Sequence, residues 1–412
     1  VEGNLKPLLL LLYLLAVGVP VRGQEADRVA PASRAESIEA QRRDKAQKLE
    51  PDNPTGVENV LEDVKRDKIL ERITSGVGGL RFRLGGLASG TGFAIGPEYY
   101  RTFLHDQGLF RTSIRGSTSR SYLMDTELRF PDLAREHAFV NLYAVHSNLT
   151  RLNYYGPGPN SARTGRSVFR LENTSFQFRT GLKPVKPLRL GVIGEYLMVN
   201  VGPGRHNDFI SSDRTFFEPT TPGIQQQTDF YHGGAYVQLD WRDNPGGPRS
   251  GGNYIAQISK YIDRNSLGYS FNRLDLEAQQ YIPLFEQRRV FALRGRIMAT
   301  DPHRGNRVPF YLQPTVGGSD DLRGFRQFRF YDNNSFVLNG EYRWEIFSGL
   351  DMALFVDAGR VFPRWQDINI RDLETSYGFG FRFNVRNDVF MRIDTGFSRE
   401  GFALWVKFGN VF

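Results

Sequence analysis

From Gly79 to Phe412 apolar and polar residues alternate with a period of two. Leu80, Phe82 and Leu84 flank Arg81 and Arg83, and Phe336, Leu338, Tyr342, Trp344 and Ile346 run with Asn339, Glu341, Arg343 and Glu345. Phe379, Phe381 and Phe383 alternate with Gly378, Gly380 and Arg382, and Phe402, Leu404, Val406 and Phe408 lead to the end of the sequence. Period two is the signature of a strand with one face in each of two environments. A β-sandwich alternates too, but its outer face is usually Lys, Thr or Ser rather than aromatic. An apolar face toward lipid and a polar face toward a lumen fits better, and predicts an all-β, antiparallel transmembrane barrel over 79–412. That span allows roughly 21 residues per strand and turn for about 16 strands. Long polar connections at 201–227 and 301–325 are expected on the outer side, where such barrels carry their longer loops.

Ahead of the barrel the pattern changes three times. Lys6 precedes an apolar run from Leu8 to Val17, then Pro20 and Val21-Arg22-Gly23. That run is too short to span a bilayer and reads as a signal peptide, residues 1–23, with cleavage expected between Gly23 and Gln24. Residues 24–54 are charged and poor in apolar side chains, as a flexible periplasmic linker would be. Thr55-Gly56-Val57-Glu58 has the form of a capping box, and Val57, Val60, Leu61, Val64, Ile69, Leu70 and Ile73 follow it. An amphipathic helix is expected over 55–75, serving either to seal one mouth of the barrel or to bind a partner.

Composition narrows the function classes. The formal charge is +8, from 53 basic and 45 acidic residues. Much of the arginine alternates with aromatics along strands instead of forming an exposed basic stripe, which argues against nucleic acid as a partner. There is no cysteine, so neither disulfides nor thiolate metal sites contribute. His105, His137, His146, His206, His232 and His303 are scattered without metal-ligand spacing. Gly90-Thr91-Gly92 lacks dinucleotide spacing, and no G-x-S-x-G nucleophile motif occurs. No cofactor, metal or enzymatic activity is expected.

The chemistry concentrates in Gly317-Gly318-Ser319-Asp320-Asp321-Leu322-Arg323-Gly324-Phe325. On the following segments Asp357 shares a face with Phe355, opposite Leu354 and Val356, and Glu341 lies opposite Tyr342 and Trp344. Both carboxylates therefore point inward. An arginine folded into the lumen can make charge-assisted, bidentate bonds to them. Gly324 allows either a close backbone approach or a positive φ. The alternative is that these are ordinary luminal charges, and Arg382 is open to both readings.

These motifs resemble the BamA/TamA superfamily of outer-membrane barrels, which includes the bacterial surface antigen family. Asp240-Trp241-Arg242-Asp243, the Arg323 loop, Gly340-Glu341-Tyr342-Arg343 with Phe355-Val356-Asp357-Ala358-Gly359, and Tyr377 through Phe383 stand in the family's order. The resemblance implies a bacterial outer-membrane location and a loop lock. In it Leu322, Arg323, Gly324 and Phe325 engage Glu341, Asp357 and Gly359, with Arg382 as a further member. The alternating last segment with Phe412 looks like a barrel-sorting signal, from which Asn410 departs. Family members usually carry POTRA domains before the barrel. Residues 24–78 are too few for one such module and a linker, so a member lacking them is expected.

The activity implied is assistance in inserting or translocating outer-membrane proteins or lipids through a weakly paired seam between the first and last strands. The seam is expected at Leu80, Phe82, Gly85 and Gly86 of a first strand spanning Leu80–Leu87, and at Phe408, Gly409 and Phe412. The glycines would weaken pairing there. The partners implied are outer-membrane lipids including lipopolysaccharide, unfolded outer-membrane protein clients and a periplasmic accessory protein. The rival is a passive channel or structural surface barrel without insertase activity.

Overall fold

The computed structural model describes residues 78–412 apart from Gly86, Ser89, Gly90, Glu286, Ser348, Arg386, Asn410 and Val411. The expected signal peptide, linker and helix 55–75 lie outside the described residues. No helix among those described is long and apolar enough to cross a membrane.

The chain forms β1 (Leu80–Leu84), β2 (Ala94–Phe103), β3 (Gly108–Ser117), β4 (Tyr122–Leu133), β5 (Ala138–Tyr154) and β6 (Ser167–Val185). There follow β7 (Leu188–Pro203), β8 (Phe230–Asp240), β9 (Gly251–Asp263), β10 (Phe271–Leu284), β11 (Arg289–Pro302) and the short β12 (Thr315–Val316). The last are β13 (Phe330–Tyr331), β14 (Asn334–Phe347), β15 (Leu350–Phe362), β16 (Glu374–Val385), β17 (Asp388–Ser398) and β18 (Gly401–Phe408). Sixteen of them form one antiparallel sheet in chain order, from β1 to β11 and then β14 to β18, while β12 and β13 pair separately. The expected strand number is therefore met, with the extra pair lying inside the β11–β14 connection.

Alternation decides which face each residue takes. On β15, Leu354 and Val356 are 49% and 57% exposed, while Phe355 and Asp357 between them are 3% and 0% exposed. The same reversal on β18 leaves Phe402, Leu404 and Val406 outermost. Apolar side chains exposed around a whole wall are stable only if the medium outside is lipid. One end of the barrel has tight turns, two of them with runs of three left-handed residues (Leu104–Asp106 and Ala134–Glu136). The opposite end carries the long connections, and is the extracellular end by the usual asymmetry of these barrels.

Those connections fold inward. Ile224 from the β7–β8 loop and Phe310 and Tyr331 from the β11–β14 connection are buried with Leu152, Tyr154, Phe169 and Val201 on the wall. Tyr154 meets Phe310 and Tyr331 at ring-centroid distances of 5.0 and 4.9 Å. A second cluster joins Val308 to Leu197, Phe230, Tyr261, Tyr269 and Phe271. Glu218 braces the β7–β8 loop by accepting the backbone N–H groups of Gly223 at 2.6 Å and Gln225 at 2.9 Å.

Replacing Val356 with arginine is expected to cost about 2–4 kcal/mol near the bilayer centre. Urea-induced unfolding from lipid vesicles would measure it, and an unchanged midpoint would place that face in water.

Candidate functional site: a buried arginine lock and an unpaired seam

Arg323 sits at the inward tip of the β11–β14 connection with no solvent exposure. Its Nε and Nη2 donate to Asp357 Oδ2 and Oδ1 at 3.0 and 2.7 Å, and its backbone N–H donates to Oδ2 at 3.0 Å. Nη1 donates to Glu341 Oε2 at 2.7 Å. The guanidinium also lies over the Phe355 ring, 3.4 Å from its centroid. A planar fork over an aromatic face, with both edges bonded to carboxylates, is a geometry only arginine supplies.

The network extends further than the motif residues. Arg382 donates to Glu341 Oε1 at 2.8 Å and to Asp394 Oδ1 at 2.6 Å, so it shares a carboxylate with Arg323. Arg343 reaches the same Glu341 oxygen at 2.8 Å. Arg392 spans Asp394 at 2.9 Å and Asp320 at 2.7 Å. Asn339 and Ser376 complete the bonding of Asp357 at 2.9 and 3.2 Å. Four guanidinium groups (Arg323, Arg343, Arg382, Arg392) thus face four carboxylates (Asp320, Glu341, Asp357, Asp394).

Asn339, Ser376, Arg392 and Asp394 were not singled out in the sequence. Period-two alternation on β17, with Met391 and Ile393 opposite Arg392 and Asp394, carried the signal.

Backbone approach and a small apolar core hold the tip in place. A Cβ on Gly324 would come within 2.5 Å of the Phe397 carbonyl oxygen, and one on Gly396 within 2.4 Å of the Arg323 carbonyl carbon. Gly324 does not have positive φ, so close approach, not turn geometry, is its role here. Leu322 and Phe325 are buried with Val316, Phe330, Val337 and Val361. Gly359 stands opposite Val337 in the β14–β15 ladder, as part of the wall behind that cluster. The connection also reaches the last hairpin: Trp405 Nε1 donates to the Arg323 carbonyl at 2.8 Å, and Ser398 Oγ to that of Gly324 at 2.8 Å. Arg329 pairs with Glu400 at 2.8 Å and bonds Ser161 in the β5–β6 loop at 2.9 Å.

The turn beginning at Asp240 crosses the opposite, short-turn mouth. Arg242 folds back on Asp240 at 2.9 Å, Arg249 donates to Asp351 at 2.8 Å, and Asn244 donates to the carbonyl of Asn387 at 2.9 Å. β8–β9 is thereby tied to the ends of β15 and β17 across the lumen.

At the seam the sheet simply ends. β1 pairs with β2 and β18 with β17, and no ladder joins β1 to β18 among the described residues. Leu80 and Phe82 on the outer face are 59% and 60% exposed. Side chains make the contact that exists: Phe408 lies against Gly85, and its ring centroid is 6.1 Å from that of Phe93.

Two expectations need correction here. The first strand ends at Leu84, not Leu87, because Gly85 takes a left-handed φ of +70°. Gly86 lies outside the described residues. Phe412 is not at the seam: the chain leaves β18 at Phe408, Gly409 turns it with φ +91°, and Phe412 packs against Tyr281, Val290 and Ala292 on the inner wall. There its ring gains Tyr281 at 6.3 Å and the guanidinium of Arg343 at 5.6 Å, contacts that the lipid face cannot offer.

β1 is held from within. Arg81 and Arg83 donate to Glu98 on β2 at 2.6 and 2.8 Å, and Arg115 donates to the Gly85 carbonyl at 3.2 Å. Among the described residues no group of three or more His, Cys, Asp or Glu is placed to hold a metal ion.

A sixteen-stranded antiparallel sheet curled into a barrel, apolar outside and charged within, defines a transmembrane barrel of the bacterial outer-membrane class. A family model described as the Omp85 superfamily domain matches residues 120–385. That is well over half of the chain, and the protein belongs to the Omp85 superfamily. No curated protein matches the chain. Among solved structures, BamA from Haemophilus ducreyi lacking POTRA domains 1-3 superposes with a TM-score of 0.59 at 14% identity, over 80% of this chain and 68% of that one. CdiB from Escherichia coli gives a TM-score of 0.54 at 12% identity, over 79% of this chain and 61% of that one. At such identities the likeness is one of fold. The protein is a bacterial outer-membrane β-barrel of this superfamily.

Arg323→Ala leaves Asp357 and Glu341 buried with too few partners, and is expected to cost about 3–5 kcal/mol. Arg323→Lys restores charge without the fork and should recover only part of that. Heat-modifiable gel mobility and trypsin sensitivity of the 303–333 connection would read both; equal behaviour of R323A and wild type would remove the lock from any structural role.

Proposed function

We propose that this barrel assists the insertion or translocation of other outer-membrane proteins or lipids, using the seam between β1 and β18 as the working edge. One observation carries the reading: β18 presents the backbone of Gly401–Phe408 along one side with no ladder partner among the described residues. An unpaired edge facing lipid is a template for an incoming strand, whose N–H and C=O groups have no other partner in that medium. Arg81, Arg83 and Arg115 fix β1, and the Trp405 bond to Arg323 fixes β18. The two edges are thus positioned separately, each by its own side of the barrel. Unfolded outer-membrane proteins are the proposed clients, with a periplasmic accessory protein to deliver them. Similarity in fold to a BamA and a CdiB supports this class of activity.

Of the rival readings, a passive channel or a structural surface barrel without insertase activity, the channel is weakened by the buried contacts of the β7–β8 and β11–β14 connections across the extracellular end. It predicts steady conductance in planar bilayers without client insertion.

The absence of native cysteine makes a direct test available. A Cβ on Gly85 would lie 4.0 Å from Phe408 Cβ, inside the range a disulfide bridges. Oxidised Gly85→Cys/Phe408→Cys protein should lose client insertion into liposomes and regain it on reduction. Gly85→Cys alone controls for the strain of a side chain at positive φ. Full insertion by the oxidised double variant would sink the seam reading.

A further inference from the structure

The outer wall carries a cationic cleft that neither the lock nor the seam uses. At the extracellular ends of β4–β7 a cavity of about 860 Å³ is lined by Arg120, Arg151, Arg170 and Arg205, with hydroxyls from Tyr122 and Thr150. No carboxylate lines it. The acids bordering it are Glu172, bonded to Arg170 at 2.8 Å, and Asp208, 3.8 Å from His206 Nδ1 and largely exposed. Arg120, Arg151 and Arg205 have no carboxylate within ion-pair distance among the described residues. Among the described residues Arg151 Nε is buried without a hydrogen-bond partner. Burial and the neighbouring Arg151 guanidinium hold the His206 imidazole below its ordinary range, as expected beside excess positive charge.

The wall beneath is apolar. In the β5–β6 ladder Asn148 stands opposite Glu172, and four residues nearer the bilayer centre Ala144 stands opposite Phe176, then Leu142 opposite Phe178. Phe176 and Phe178 are exposed and border a shallow depression of about 340 Å³ with Leu142 and Leu128. Four residues of strand amount to roughly 13 Å. Cations at the rim and a hollowed aromatic wall one acyl segment below match an amphiphile with an anionic head.

We propose that this cleft binds the phosphate groups of an outer-leaflet lipid, with Arg120, Arg151 and Arg205 taking the head and Phe176 and Phe178 its acyl chains. Arginine forks suit phosphate oxygens, and partial desolvation at the rim strengthens the pairing. A second groove on the wall at β8–β11 is lined by Lys260, Arg273 and Arg364, but Asp301 shares its lining, Arg273 is already bonded to the Leu312 carbonyl and Arg364 is paired with Asp367 at 2.9 Å. Its charge is nearer balance. The lipid site rests on the outer-membrane location alone, so its failure leaves the seam reading intact.

Native mass spectrometry of the full folded chain in detergent would compare lipid A, its dephosphorylated form and inorganic phosphate as competitor. The wild type should retain lipid A well above the dephosphorylated form. Arg120→Gln/Arg151→Gln/Arg205→Gln should weaken that retention by about tenfold or more, while Arg371→Gln at another exposed position should not. Heat-modifiable mobility checks that each variant folds; if the triple variant does not, Arg205→Gln, on the loop beyond β7, carries the test with a smaller expected drop. Equal retention of the dephosphorylated lipid, an unaffected variant, or complete displacement by inorganic phosphate (a free-anion site) would each overturn the proposal.

Discussion

A guanidinium stripped entirely of water is costly, by several kcal/mol even after relaxation. Arg323 is stable where it is because Asp357 and Glu341 meet its fork on two edges and Phe355 lies beneath its plane. The carboxylates are compensated in turn by Arg343, Arg382, Asn339 and Ser376. Withdrawing Arg323, Asp357 or Glu341 alone would strand a buried charge. The connection that carries Arg323 is therefore committed to the lumen, and the rest of the interior is arranged around it.

The commitment explains several features that look independent. A connection drawn inward from the β11–β14 end must cross the barrel, and Arg329 and Asn153 brace it against the β5–β6 side. Once it lies there, Phe310 and Tyr331 have a wall of Tyr154, Phe169 and Leu152 to pack on, which covers the extracellular end. The turn at Asp240 does a related task at the other mouth, joining β8–β9 to β15 and β17. Strands β8 to β18 are cross-tied at both ends. The wall of β1–β5 relies on a different set of charges, centred on Glu98, Asp125 and Arg111, so the two sides of the seam belong to separately stabilised parts of one sheet.

Much of this was legible in the sequence because a barrel strand encodes its two faces directly. Leu354, Val356, Phe402 and Leu404 could be assigned outward, and Glu341 and Asp357 inward, before any coordinates. The partners of Arg323 followed from that parity together with a family resemblance. Asp394, Arg392 and Ser376 were hidden because parity alone says that a side chain points inward, not the strand register that sets Ser376 beside Asp357 and Asp394 next to Arg382. The seam was less legible still. Gly85 and Gly409 mark strand ends through positive φ, which alternation does not report, and Phe412 kept the right parity on paper while crossing to β10 and β11 in space. The cationic cleft escaped notice for the same reason: Arg120, Arg151, Arg170 and Arg205 come from four separate stretches that only the sheet brings together.

Trp405 ties the register of β18 to the lock. Its indole reaches the Arg323 carbonyl only while odd-numbered residues of β18 face the lumen, with Leu404 and Val406 turned to lipid. Sliding that strand by a single position would exchange the two rows, sending the indole into hydrocarbon and an aliphatic chain onto buried charge. Any displacement of the terminal hairpin that keeps this bond would proceed in two-residue strides, and under the proposed seam mechanism a strand added beside it would meet the same even-numbered spacing.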